Sequence, residues 1–352
     1  MPVVSAPVIA LPRHQVSTDE VLDVLGELYP EHPRLAAVQA AIRSTTVRSR
    51  WFTRPPGELF TDASPVLDRT RAHLRDSLEL AEKAARQALF EAGLTPGDVD
   101  GLVVTSSTGH TMPGLDIALI EKLGLPCSVH RVPVTQLGCA GGAFALVCAM
   151  SLVALRPRAR ILVVCADVFS HYLHRADTGM DGMIFKGLIG DAAGACVVRA
   201  DGAGPRMELG DSWQCVLPGS RTIVGTYVDG SGLHTHNSPE LCGVVRQAVE
   251  RVAEWLRDSG AVGEKAPRFL VSHSGSPKIL DSVVASLGCA PELVTSARDS
   301  LRDVGNVGSV SVLDVLERTF AKQPGEGDRG LLLAVGPGVS IIAVKTVWHT
   351  GG

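Results

Sequence analysis

Apolar residues recur at helical and strand spacing along this 352-residue chain, and the same order of elements occurs twice. Residues 71–92 predict an amphipathic helix that Gly93 ends. Its apolar face consists of Leu74, Leu78, Ala81, Ala85 and Leu89. A linker with Pro96 leads from this helix into a predicted strand, Gly101–Thr105.

A second helix with the same surroundings is predicted over residues 244–258. Its apolar face consists of Val245, Val249, Val252 and Leu256. Gly260 ends it, and a linker with Pro267 leads into a second short apolar strand, Phe269–Val271. Each half then contains a further predicted strand, Ile161–Cys165 in the first and Leu331–Ala334 in the second.

This repeat predicts an α/β protein of two similar βαβ-containing halves packed on each other. We place the first half at residues 1–220 and the second at 221–352, because the glycine-rich stretches between about 200 and 240 are typical of loops. Ahead of the first repeat, the pattern predicts helices over Thr18–Leu28 and Pro33–Ser44. The basic segment Arg48–Trp51 follows, close to a predicted helix end.

Composition narrows the possible functions. The chain is 45% hydrophobic and 4% aromatic, with a net charge of −4 and no basic block, so a nucleic-acid partner is not expected. No basic leader and no apolar run of about 18 residues is evident, which favours a cytoplasmic protein without a membrane span. The eight cysteines show no CxxC spacing, so we expect no metal site and interpret seven as small buried hydrophobes.

The remaining cysteine, Cys139, lies in the small-residue segment Gly138–Gly142 between an apolar stretch and a predicted helix from Ala140 towards Leu155. A helix N-terminus beneath the sulfur is expected to lower the pKa of the thiol and favour the nucleophilic thiolate. Taken alone, a cysteine in such a turn is also compatible with simple packing.

Two further turns carry polar side chains at the ends of predicted elements. His273 follows the strand Phe269–Val271, and Asn306 lies in the glycine turn Gly305–Gly308. A histidine can stabilise a thiolate, and histidine and asparagine N–H groups can hold a thioester enolate oxygen. Each residue alone is compatible with a structural role. Together, the three indicate decarboxylative thioester condensation, which requires no metal or organic cofactor.

The residues in these turns resemble the type III polyketide synthases of the chalcone and stilbene synthase family over roughly residues 70–345. The resemblance rests on Gln136–Gly142, His273–Asp281, Gly305–Asn306, Gly190–Asp191 and Gly336–Gly338. Ser274–Pro277 departs from the family's proline-glycine-glycine-proline pattern. The resemblance implies a thiolase-like fold in five layers (αβαβα), a homodimer, and a catalytic triad formed by Cys139, His273 and Asn306.

The resemblance also assigns substrate-binding positions. It places Ile189 and Thr235 where plant members have two phenylalanines that narrow the passage to the cavity, and Gly308 where many members have serine. These three changes predict a wider passage unless other side chains fill the space. Ser107 falls where tetrahydroxynaphthalene-forming members often carry a second cysteine. Met112 corresponds to a methionine that enters the neighbouring subunit's cavity.

Family members bind the CoA phosphates through basic side chains, for which Arg43, Arg48 and Arg50 are the candidates. Five further histidines in this region are interpreted as surface residues or cavity-lining residues. They are His110, His171, His174, His234 and His236.

The expected activity is iterative condensation of malonyl-CoA onto an acyl-CoA starter held on Cys139, followed by cyclisation to an alkylresorcinol, alkylpyrone or related product. Alternatives are a malonyl-CoA-only synthase that makes tetrahydroxynaphthalene, a single-condensation β-ketoacyl synthase, and an inactive homologue that acts as a scaffold.

Overall fold

The structure, a computed structural model, describes residues 1–258 and 267–351. Its helices are α1 (Thr18–Leu28), α2 (Leu35–Ser44), α3 (Pro56–Phe60), α4 (Val66–Glu91), α5 (Leu115–Leu123), α6 (Gly141–Leu155), α7 (Met180–Leu188), α8 (Leu241–Asp258), α9 (Pro277–Leu287), α10 (Thr295–Val304) and α11 (Ser311–Lys322). Its strands are β1 (Val3–Val4), β2 (Val8–Ala10), β3 (His14–Ser17), β4 (Ser49–Phe52), β5 (Gly101–Thr105), β6 (His130–Val134), β7 (Ile161–Asp167), β8 (Ala192–Arg199), β9 (Arg206–Val216), β10 (Val224–Asp229), β11 (Gly232–Asn237), β12 (Phe269–Ser272), β13 (Arg329–Gly336) and β14 (Ser340–His349).

The repeat seen in the sequence is present in the strand pairing. In the first half, β5 runs parallel to β7, which forms an antiparallel pair with β8. In the second half, β12 runs parallel to β13, which forms an antiparallel pair with β14. A single sheet contains both sets, in the order β12-β13-β14-β9-β1-β8-β7-β5-β6, with β2 also paired to β8.

The two halves enclose two central helices, α6 and α11. Helix α6 contacts β5, β7 and β8 from the first half and β13 and β14 from the second, and α11 contacts strands of both halves as well. Helices α4 and α5 contact the first set of strands, and α8 contacts β14 of the second set and the neighbouring strand β9. The two parts of this continuous sheet therefore form separate layers, in the order outer helices, first-half strands, central helices, second-half strands, outer helices.

The helix before each repeated strand uses the predicted apolar face. On α4, Ala81, Ala85 and Leu89 are buried, and Leu74 and Leu78 pack against the same core. The helix ends near Gly93, which has a φ of +68°. On α8, Val245, Val249 and Val252 are buried, while the predicted stop at Gly260 lies outside the described residues.

Helix α6 is apolar on all sides, and it packs between the first-half and second-half strands of the sheet. The 18 residues Gly138–Leu155 have a mean hydropathy of 2.0. Within the described part of the chain, they form one helical segment that has the length and composition needed to cross a membrane. The expectation that no apolar run reaches this length was therefore wrong. Its contacts with strands of both halves account for the buried part of this segment, which is 44% of it, while Leu155 at its end is 80% exposed.

The segment before the first repeat is more regular than expected. Helix α1 has the predicted bounds, with Ser17 and Glu20 forming a capping box at its start. The basic segment around Arg50 follows the end of α2 at Ser44, as expected, and most of it forms strand β4, which pairs with β3. This segment packs as a separate core around Leu25, Phe52 and Ile189.

Candidate active site

The structure brings the three predicted turns together. Cys139 lies in the 3₁₀ turn Gly138–Ala140 at the start of α6, and its thiol donates to Asn306 Oδ1 at 3.8 Å. The Asn306 amide nitrogen donates to the carbonyl of Gly275 at 3.3 Å, in the loop that follows β12 and His273. Side chains from both halves therefore meet where the two central helices begin.

Close backbone approach explains the small residues in the Cys139 turn. Gly138 has a φ of +52°, and a side chain there would meet the ring of Pro337. A side chain at Gly142 would collide with the carbonyl oxygen of Ser309, in the turn before α11. The glycines thus let the starts of α6 and α11 contact each other directly.

The Asn306 turn is fixed by hydrogen bonds on both sides. Its backbone N–H donates to Leu188 O at 2.9 Å, and its carbonyl accepts from Gly190 N at 3.1 Å. Its side-chain Oδ1 accepts from Gly308 N at 3.0 Å. Since Oδ1 faces two donors and Nδ2 faces the Gly275 carbonyl, the orientation of the amide is assigned by its surroundings.

The tautomer of His273 follows from its backbone neighbours. Nδ1 accepts from Val335 N–H at 3.3 Å, so the proton of the neutral ring resides on Nε2. Gly275 lies against this nitrogen, and a Cβ there would be 2.7 Å from it. Burial lowers the pKa of His273 to about 4, so the ring is neutral at physiological pH and presents an Nε2–H donor.

Cys139 differs from the sequence-based expectation. Burial, followed by the nearby negative charge of Asp167, raises the pKa of the thiol to about 12. The hydrogen bond to Asn306 lowers this pKa, but burial dominates. The prediction of a lowered pKa considered only the helix N-terminus and was wrong, because the surrounding protein atoms disfavour the thiolate more strongly.

Asp167 is a central residue that the sequence analysis missed. It is fully buried at the end of β7. Its Oδ1 accepts from Ser107 N at 2.6 Å and Ser107 Oγ at 2.9 Å, and its Oδ2 accepts from Ser309 N and Oγ, both at 2.7 Å. The carboxylate thus links the first half to the Ser309 turn. An acidic residue ending an otherwise apolar strand was the available signal.

The residues predicted to widen the passage leave less free space around them than their small side chains suggested. Gly308 has a φ of +60°, and the space for a side chain is occupied by the Asp167 carboxylate and the Phe169 ring. Ile189 is 1% exposed and belongs to the core of the N-terminal segment. Ser107 is held by Asp167. Thr235 lies on β11, and its hydroxyl is buried without a hydrogen-bond partner in the described structure.

The three arginines have different environments. Arg43 is exposed and pairs with Asp19 at 3.0 Å, and Arg48 is also exposed. Arg50 is fully buried, where its guanidinium donates to the Gly187 carbonyl at 2.6 Å and to the Thr18 hydroxyl at 2.8 Å. Its position between core elements makes Arg50 unavailable to a phosphate at the surface, contrary to the prediction.

Two histidines are buried and several cysteines are not, which differs from the expected surface or cavity-lining histidines and buried cysteines. His171 and His174 are each 2% exposed, and His171 is paired with Asp76 at 2.8 Å. Among the cysteines, all of which are free, only Cys165, Cys196 and Cys289 are buried, so the prediction of seven buried cysteines was wrong. Met112, whose predicted role is to enter the cavity of a neighbouring subunit, is 98% exposed in the single chain.

Comparison with known proteins identifies the family. A profile of the chalcone and stilbene synthases' N-terminal domain matches residues 35–202, and the profile of their C-terminal domain matches residues 208–347. The chain belongs to the chalcone and stilbene synthase family. Its relatives include phloroglucinol synthase of Pseudomonas fluorescens, 32% identical over 97% of this chain and 98% of that protein. Tetrahydroxynaphthalene synthase of Streptomyces coelicolor is 28% identical over 98% and 91%.

Solved structures agree with this assignment. The crystal structure of the Streptomyces coelicolor tetrahydroxynaphthalene synthase, a bacterial type III polyketide synthase, has a TM-score of 0.93 at 27% identity and covers 99% of both chains. Germicidin synthase of the same organism has a TM-score of 0.92 at 27% identity, with the same coverage. The predicted thiolase-like fold and the prediction of an acyltransferase of the type III polyketide synthase class are thus confirmed.

Proposed function

We propose that this type III polyketide synthase loads an acyl-CoA starter onto Cys139 and extends it with malonyl-CoA. In the loading step, the Cys139 sulfur attacks the thioester carbonyl, and CoA leaves as its thiol after taking up a proton. The convergence of Cys139, Asn306 and the His273 loop supports this proposal most directly. Because burial raises the pKa of the Cys139 thiol to about 12, the thiol is protonated at neutral pH before loading, and its proton has to be removed for the attack.

His273 and Asn306 are assigned to the extension step. Malonyl-CoA loses CO2, which leaves an enolate whose oxygen accepts hydrogen bonds from His273 Nε2–H and the second Nδ2–H of Asn306. The donor form of His273, set by Val335 N–H, supports this role. The enolate carbon attacks the acyl carbonyl on Cys139, the sulfur leaves, and the longer chain on CoA returns to Cys139 for another round.

Repeated extension is proposed to end in cyclisation to an alkylresorcinol, alkylpyrone or related aromatic product. A second candidate is aromatic synthesis from malonyl units alone, in which no long starter has to be accommodated. The space beside Gly308 favours this candidate, because Asp167 and Phe169 fill it instead of leaving a wider passage. The relatives named for phloroglucinol and tetrahydroxynaphthalene synthesis agree with it.

The remaining assignments concern partners. We propose that the chain acts as a cytoplasmic homodimer in which the exposed Met112 contacts the neighbouring subunit. Arg43 and Arg48, both exposed, are the proposed contacts for CoA phosphates. The condensation uses CoA thioesters as substrates and requires no organic cofactor.

Labelled acyl-CoA and product mass spectrometry test these proposals together. Wild-type protein should form a covalent acyl adduct that maps to Cys139, and Cys139→Ala should form none. Cys148→Ala is the matched control, since Cys148 is also partly exposed but lies on α6 away from the turn. An adduct on the Cys139→Ala variant would contradict the assignment.

Product masses then separate the candidate activities. An aromatic product from malonyl-CoA alone supports synthesis from malonyl units, whereas products that incorporate a supplied starter and several malonyl units support the first candidate. A product one extension longer than the starter would instead indicate a single-condensation β-ketoacyl synthase. Protein that consumes no malonyl-CoA with any starter would indicate the scaffold alternative.

A further inference from the structure

A group of metal-binding side chains lies outside the proposed catalytic triad. His174 and Asp177 belong to the segment between β7 and α7, and His234 belongs to β11. Each offers one ligand atom, and these three atoms lie within 4.8 Å of one another. Two imidazoles and one carboxylate form a ligand set that suits zinc and related divalent transition metals.

The distance between two of these groups matches the edge of a zinc tetrahedron. His234 Nδ1 lies 3.4 Å from Asp177 Oδ1. Two metal bonds of about 2.0–2.1 Å at the tetrahedral angle place their donor atoms roughly 3.3–3.4 Å apart. The pair therefore has the separation required for binding one ion between them without a change in backbone position.

The second nitrogen of His234 has the partner that a metal-binding histidine usually has. Nε2 lies 3.1 Å from Asp229 Oδ1 and 2.9 Å from Ser231 Oγ. A proton on Nε2, held by the carboxylate, leaves the lone pair of Nδ1 directed towards Asp177. Such carboxylate–histidine pairs fix the tautomer and the ring orientation at metal sites.

His174 provides an independent indication of a ligand. Its side chain is 2% exposed, and its Nε2 is buried with no hydrogen-bond partner in the described part of the chain. Its ring packs edge-on against His234 with centroids 5.1 Å apart. A buried nitrogen without a hydrogen-bond partner destabilises the folded protein. The contacts among Asp177, His234 and Asp229 do not include His174 Nε2, so they do not explain why this nitrogen is buried without a partner.

Positive side chains near the group do not occupy the Asp177 carboxylate. Lys186 Nζ donates to the backbone carbonyl of Asp177, and Arg69 donates to the carbonyl of Ser231. Both cations are thus directed to main-chain oxygens. The carboxylate faces His234, the group with which it would share an ion.

We propose that His174, Asp177 and His234 bind a divalent transition metal, with Zn²⁺ the best match, and leave a coordination position for water. The ion would connect β11, which carries Thr235, to the segment before α7. Its role is structural, because it holds β11 and the segment before α7 together. The condensation chemistry proposed above therefore does not depend on the ion.

Metal binding is tested on the full chain without a polyhistidine tag. Wild-type protein is stripped with chelator, dialysed against ZnCl2, and analysed for bound metal and thermal stability. We expect one zinc per chain and a Tm that rises with zinc and falls again with chelator, because an ion that binds only the folded state stabilises it. Wild-type protein that retains no zinc and shows no rise in Tm would overturn the proposal.

Variants then locate the ion. Asp177→Asn and His234→Gln should abolish stoichiometric binding, and Asp229→Asn should weaken it roughly 10–100-fold, as expected for a residue that orients a ligand. His236→Gln, on the same strand, is the matched control and should bind zinc like the wild type. Circular dichroism in metal-free buffer checks that each variant is folded. Unchanged binding by folded Asp177→Asn and His234→Gln would contradict the proposed site.

Cobalt distinguishes this site from the free cysteines. Co²⁺ bound by histidine and carboxylate should give visible absorption without the near-ultraviolet band that thiolate ligands produce. A thiolate band that remains in His234→Gln would place the ion on cysteine and overturn the assignment. Because these readouts are independent of product formation, they remain informative even if the proposed condensation is incorrect.

Discussion

The turn that carries Cys139 and the turn that carries Asn306 have the same construction. Each contains a 3₁₀ segment, Gly138–Ala140 in one and Gly308–Val310 in the other, that leads directly into a central helix. Each begins with a glycine at positive φ, +52° at Gly138 and +60° at Gly308. Each half thus contains the same backbone arrangement at the start of its central helix.

The two turns differ in the chemistry they present. One carries a titratable thiol and the other an amide that does not titrate. Asp167 raises the pKa of Cys139 through its charge and also accepts two hydrogen bonds from Ser309 beside Asn306. The symmetry of the backbone therefore does not extend to the electrostatics, in which a single carboxylate affects the two turns differently.

The largest effect that separates the two turns should come from Asn306→Ala. This change removes the proposed amide donor to the enolate but leaves the thiol. We expect malonyl-CoA decarboxylation to fall about 10²–10³-fold, as for the loss of one oxyanion donor, with a much smaller loss of starter loading. Separate assays of CO2 release and of acyl adduct measure the two steps. Equal losses in both would contradict distinct roles for the two turns.

Gly142→Ala should disrupt the contact that brings the two turns together. The added methyl group would collide with the Ser309 carbonyl, a backbone atom that cannot move independently of α11. We expect unfolding free energy to fall by about 1–3 kcal/mol, the usual cost of overpacking. Chemical denaturation measures this change.

Gly243→Ala is the matched control, because no atom lies near a methyl group at this position on α8. Replacing glycine inside a helix should raise stability by about 0.5–1 kcal/mol. A similar loss in both variants would show that the contact between the central helices is unimportant.

Periodicity predicted the framework well because it reports which faces of the elements are buried. The faces of α4 and α8, the bounds of β5 and the repeated strand order all follow from local spacing. The approach of Cys139, Asn306 and the loop after His273 was also expected, since corresponding strand ends of packed halves converge.

Quantities that depend on long-range neighbours could not be read from the sequence. Gly308 lacks a side chain, yet the space is filled by Asp167 and Phe169, which precede it by more than 130 residues. Arg50 resembled a surface arginine, but it lies on strand β4 of a two-stranded sheet with its side chain fully buried. Likewise, the thiol pKa depends on burial and on Asp167, neither of which is encoded near Cys139.

The smallest expected effect concerns the different electrostatics of the two turns, and it is measured as the pH dependence of Cys139 alkylation. With a pKa of about 12, Cys139 is a thiol at neutral pH, and its thiolate fraction increases about tenfold per pH unit below that value. Alkylation of substrate-free protein by iodoacetamide, followed at Cys139 by peptide mass spectrometry, should therefore rise steadily from pH 7 to pH 10 without a plateau. A plateau beginning below pH 8 would contradict the raised pKa.

Asp167→Asn should shift this profile to lower pH, because it removes the negative charge that disfavours the thiolate. Each unit of pKa reduction corresponds to about 1.4 kcal/mol and a tenfold higher thiolate fraction. The variant should also lose about 1–3 kcal/mol of stability, since an amide cannot accept all the hydrogen bonds that the Ser107 and Ser309 groups donate to the carboxylate. The exposed Asp201→Asn is the control with equal charge change. If both variants shift the profile equally, the effect reflects net charge, and the specific influence of Asp167 on the Cys139 turn is excluded.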